Sequence, residues 1–82
     1  NPNEVAELSK KLEKEGKTFE ELRDMLKGLV QRIESDDIED GKLAMRDNMV
    51  VMETMQRVYR DETEELTART IAKLHEAGLG DE

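Results

Sequence analysis

The chain has 82 residues, 21 of them acids against 13 lysines and arginines, a formal net charge of −8, no cysteine and two ring aromatics, Phe19 and Tyr59. A length of this order makes a single domain with a thin core, and the missing cysteines exclude disulfides, thiolate nucleophiles and thiolate metal sites. Both halves are acidic, with twelve acids against seven bases to Gly41 and nine against six after it, so neither a nucleic-acid face nor an anionic membrane is an expected partner.

In chain order, Pro2 stands where helices begin, with Asn1 or Asn3 as cap. Val5, Leu8 and Leu12 recur at helical spacing, and Gly16 takes the usual stop position. The expected first helix covers residues 3–15. Thr18 and Glu21 form the capping-box pattern T-x-x-E. Phe19, Leu22, Leu26, Leu29 and Ile33 follow at spacings of three and four, with Met25 and Val30 widening the stripe. This is the cleanest periodicity in the chain and predicts a helix over 18–34. Gly28 lies inside it, either a tolerated surface glycine or a point of close helix approach.

ESDDIEDG, residues 34–41, reads as a turn crowded with acids, with a short helical turn from Ser35 or Asp36 as the alternative. From Lys42 to Ala77 there is neither glycine nor proline, and four of the five methionines fall between Met45 and Met55. One long helix over 42–77 is expected, with Met45, Met49, Met52, Met55 or Gln56, and Tyr59 tracing an adaptable apolar face. DETEE at 61–65 interrupts that stripe, which resumes at Leu66, Ile71 and Leu74 in a shifted phase, so a kink or separate last helix near Thr63 is the other reading. Gly78 and Gly80 should end the helix, and Asp81 and Glu82 should fray.

The run FEELRDMLKGLVQRIESDDI, residues 19–38, resembles the first helix and turn of the exonuclease VII small subunit. Phe19, Leu26, Leu29, Val30, Arg32, Ile33, Glu34, Ser35 and Asp37 stand where that pattern has them. The resemblance implies a small acidic helical hairpin that associates with a larger catalytic subunit. It covers only these residues. Asp36 replaces the turn glycine, and the methionine-rich segment does not reproduce the family's second half.

Chemistry-bearing residues are sparse. His75, the single histidine, sits near a helix C-terminus, where a cation is favourable; a phosphoacceptor role is the sharper alternative. Asp36, Asp40, Gly41 and Asp47 match a calcium loop in part, failing where Ile38 replaces an oxygen ligand. The pairs Glu21/Asp24 and Glu62/Glu65 have the E-x-x-D and E-x-x-E spacing with which helical nucleoside-triphosphate pyrophosphohydrolases hold magnesium, but without a recognisable pocket for a base. No catalytic, cofactor-binding or metal-binding residue is assigned, and no cofactor is expected.

The expected architecture is all-α: an antiparallel helical hairpin or three-helix bundle with one long C-terminal helix, completed by dimerisation. The expected function is a non-catalytic protein–protein interaction module, a small acidic regulatory, adaptor or accessory subunit. Its interaction residues are Leu22, Leu26, Leu29, Ile33, Met45, Met49, Met52, Met55 and Tyr59. Partners would be a second copy and a larger protein. The alternatives are a metal-dependent pyrophosphohydrolase-like enzyme and an acidic mimic of nucleic acid. The longest strictly apolar run, Met49–Met52, is far too short to cross a bilayer, and the opening NPNEVAELSKK lacks the plan of a secretory signal; the expected location is cytoplasmic.

Overall fold

A computed structural model describes residues 1–79. It holds four helices, α1 (Pro2–Lys14), α2 (Phe19–Ile33), α3 (Ile38–Val58) and α4 (Arg60–Glu76), and no strand among the described residues. The expected stop at Gly80 and the fraying at Asp81 and Glu82 lie outside them.

Each start and stop has a local cause. The Asn1 side chain accepts the amide of Asn3 at 2.9 Å, and Pro2 opens α1. Gly16 closes it at φ +68°, a conformation costly for a residue with a Cβ. The capping box of α2 is complete: Thr18 Oγ1 accepts from the Glu21 amide, and the Glu21 carboxylate accepts from the Thr18 amide, both at 3.1 Å. Those bonds hold the Glu21 carboxyl below its ordinary pKa, the amide of Thr18 contributing most.

The third helix departs from expectation at both ends. It starts at Ile38, so the turn expected over 34–41 is confined to residues 34–37. Asp37 caps it by accepting the Asp40 amide at 3.0 Å, with Glu39 and Asp40 in the first turn, where acids favour the helix dipole. Gly41 does not end a segment. It is buried in this first turn against the backbone of Arg32 and Ile33.

The long helix over 42–77 is not formed as one piece. The chain breaks at Tyr59 (φ −118°, ψ 49°), four residues before the alternative position at Thr63. Tyr59 is fixed from outside its own helix. Its hydroxyl donates to the Lys17 carbonyl at 2.7 Å, and its ring meets Phe19 edge-on with centroids 5.9 Å apart. The backbone gives way where that anchor holds it. The Thr63 hydroxyl donates to the carbonyls of Tyr59 (2.8 Å) and Met55 (3.3 Å), covering acceptors at the break. A Schellman turn ends α4: the Leu79 amide donates to the Leu74 carbonyl and the Gly78 amide to that of His75, with Gly78 at φ +77°.

Packing is centred on α3. The contacts Glu4–Arg46, Ser9–Thr54 and Glu13–Arg57 run in the same direction along both helices, so α1 lies parallel to α3. Phe19 against Tyr59 and Arg32 against Asp40 make α2 antiparallel to it. A simple hairpin with residues 3–34 antiparallel to a long partner is therefore replaced by an up-down-up arrangement around a central helix. The core comprises Val5, Leu12, Leu22, Leu29, Ala44, Val50, Val51 and Met55. No Cα atom of α1 lies within 8 Å of one in α2; each helix packs on α3. By the same measure α4 approaches α3 alone, and none of its residues is buried.

Candidate interaction surface

The nine residues expected to interact divide sharply. Leu22, Leu29 and Met55 are core, and Leu26, Ile33 and Tyr59 pack half-buried against it. Met45, Met49 and Met52 are outside, 57%, 58% and 46% exposed, whereas Met55 is 6% exposed. At 100° per residue, Met45, Met49, Met52 and Gln56 fall on one outward arc of α3, while Ala44, Val51, Thr54 and Met55 lie on the inward side. The methionine stripe is thus a surface row, and the buried face is built largely from smaller residues.

Shallow depressions flank this row. One, of about 620 Å³, lies where Met49 and Glu53 face Pro2 and Val5. Another, of about 470 Å³, lies at the α3–α4 joint between Gln56, Thr63, Thr67 and Ile71. Arg46 borders the first and is held by Glu4 at 2.9 Å and Asp47 at 3.1 Å, which keep its guanidinium pKa raised, Asp47 contributing most.

A separate depression occupies the other side of α3. It is a groove of about 570 Å³ between α1 and α2, with Leu8, Leu12, Met25, Leu29, Val50 and Val51 forming its apolar lining. Gly28 lies on its rim, and a Cβ there would meet nothing within 4 Å. Arg32, at one end, makes a two-pronged bond to Asp40 at 2.7 and 3.1 Å, which lowers the Asp40 pKa and raises that of Arg32.

One feature invisible to hydrophobic patterning is a buried hydroxyl pair. Ser9 Oγ and Thr54 Oγ1 lie 2.7 Å apart between α1 and α3 and are almost wholly buried. Arg57 donates to Ser9 Oγ at 3.0 Å, and Thr54 is 2.8 Å from the Val50 carbonyl. The guanidinium has only donors and the carbonyl only lone pairs. The arrangement satisfying every group runs one way: Arg57 to Ser9, Ser9 to Thr54, Thr54 to Val50. Arg57 continues to Glu13 at 3.1 Å, so the relay reaches solvent as an ion pair.

The other sequence candidates do not converge. Asp40 and Gly41 are helical, so the partial calcium loop is not formed. Glu21 is engaged at its cap and Glu65 pairs with Arg69, while α2 and α4 make no close approach. Among the described residues no group of three or more histidines, cysteines or carboxylates is placed to hold a metal. His75 is exposed in the last turn of α4. No described helix is long and apolar enough to cross a membrane.

Comparison with known proteins returned no matching family model, no matching curated protein and no matching solved structure. The resemblance of residues 19–38 to an accessory subunit therefore stands on those residues alone.

Proposed function

We propose that the protein is a non-catalytic interaction module, a small acidic accessory or adaptor subunit that docks a larger protein on the outward face of α3. The observation that carries this reading is the row Met45, Met49 and Met52, with each side chain about half exposed while the core is filled without them. Unbranched thioether side chains repack against irregular apolar surfaces at low cost. Three of them at i, i+4 and i+7 offer the register of a helix-on-helix contact. A row of this kind exceeds the scattered single apolar residues ordinary on a surface.

The test is affinity capture with the wild-type chain and with Met45→Lys/Met49→Lys/Met52→Lys. These side chains leave the core untouched, so circular dichroism should be unchanged. A protein retained by the wild type and released by the triple variant supports the reading. Equal retention by both, or specific retention by neither, removes the row from any docking role.

A further inference from the structure

The molecule carries two unpartnered features of matching kind: the open groove between α1 and α2, and the capped helix α4. We propose that the groove receives α4 of a second copy, reciprocally, closing a two-fold dimer.

The occupant follows from four observations. The first is the character of α4. Leu66, Ile71 and Leu74 are exposed, and the threonines beside them have spent their polarity internally. The hydroxyls of Thr63, Thr67 and Thr70 donate to the carbonyls of Tyr59, Thr63 and Leu66, at 2.8, 3.0 and 2.9 Å. That leaves a face of methyl and aliphatic groups with no unmet donor. An apolar helix face and an apolar groove are the two halves of the helix-in-groove mode.

The second is charge. Residues 1–33, which supply both walls of the groove, carry seven acids and seven bases, whereas 34–59 carry seven acids and three bases. Residues 60–76 carry five acids and three bases. The walls are thus the least acidic surface on which a net-negative α4 can settle, and pairing two α3 faces would oppose like charges.

The third is Gly28. Glycine inside a helix is destabilising by about 1 kcal/mol relative to alanine, and nothing in this chain requires it, because a Cβ would meet open space. Its position on the groove rim lets a second helix backbone approach closely.

The fourth is area. The accessible surface is 6357 Å², against about 5,000 Å² expected for a compact monomer of this mass. The excess, about 1,350 Å² over the whole chain, is more than the roughly 800 Å² that one partner contributes to a stable interface.

The chain's own α4 does not reach its own groove. Tyr59 is the single residue between α3 and α4, held to Lys17 and Phe19 at the α1–α2 connection. One residue gives no length to carry a helix back over that connection. Reciprocal exchange uses each groove and each α4 once and closes without free ends.

The proposal is independent of the methionine row and is tested by sedimentation equilibrium of the full chain. The wild type is expected to dimerise. Gly28→Leu fills the rim, and Ile71→Asp puts charge into the inserted face. Each is expected to weaken dimerisation by about tenfold or more. Both sites are exposed, so helicity and Tm below the dissociation constant serve as folding controls. An equimolar mixture of the two variants retains one intact groove and one intact α4, and is expected to dimerise more tightly than either alone. A wild type that stays monomeric to about 1 mM, a dimer indifferent to both substitutions, or open-ended assembly in place of a dimer overturns the proposal. The triple methionine variant should dimerise like the wild type, which separates failure here from failure of the docking row.

Discussion

At the residue scale, the buried Ser9–Thr54 pair makes an asymmetric prediction. Thr54→Val keeps the volume but leaves the Ser9 proton buried without its acceptor, a loss of about 1–3 kcal/mol. Ser9→Ala removes that proton together with its partner's lone-pair contact and leaves Thr54 bonded to Val50, so it should cost less, about 1 kcal/mol. The double variant should fall short of the sum by about 0.5–1.5 kcal/mol. Urea denaturation of the four proteins at low concentration measures this, and strict additivity would refute the relay. A second residue-scale expectation concerns thioether chemistry. Met45, Met49 and Met52 stand in solvent and Met55 in the core, so peroxide should convert the first three to sulfoxides well before the last. Peptide mass spectrometry gives the order, and early oxidation of Met55 would contradict the packing.

At the element scale, α4 forms without tertiary support beyond its joint. A lone helix of 17 residues is marginal in water, held here by the pairs Arg60–Glu64 and Glu65–Arg69 and its Schellman end. In dilute monomer its amides should exchange about two orders of magnitude faster than those of Val50–Met55, which open only with the whole domain. Under dimerising conditions the α4 amides should gain protection; hydrogen exchange followed by NMR reads both. The elements also differ in how legible they were. The first two helices, expected over 3–15 and 18–34, lie at Pro2–Lys14 and Phe19–Ile33, because periodicity, caps and stop glycine agree there. The inward face of α3 was the least legible part. A helix packed on two sides at close range uses Gly41, Ala44 and Thr54 at its contacts, and those residues carry little hydrophobic signal. The methionines dominate the periodicity there, and Met45, Met49 and Met52 lie on the outward side. The acids and glycine at 34–41 read as breakers, although Asp37 followed by Glu39 and Asp40 is also a helix start. The interruption at DETEE signalled a break close to Tyr59, but not its position, where the Tyr59 hydroxyl reaches a carbonyl 42 residues away.

At the scale of the whole molecule, three helices share one core and the fourth stands off it. The radius of gyration is 14.7 Å, against about 12 Å for a compact domain of this length. A straight run through α3 and α4 would extend about 57 Å, yet the largest dimension is 37 Å, so the bend at Tyr59 is large. The acidic excess is distributed in the same uneven way: the first 33 residues are neutral, and the net charge of −8 arises entirely after them. The single-residue joint therefore acts as the fulcrum of a lever. An arm of 17 residues is about 26 Å long, so a turn of about 30° at one pair of dihedral angles carries its tip about 13 Å. Anything that loosens the Tyr59 hydroxyl from Lys17 would be felt most at the far end of the arm, where Leu74 and His75 lie, and hardly at all in the core beside the joint.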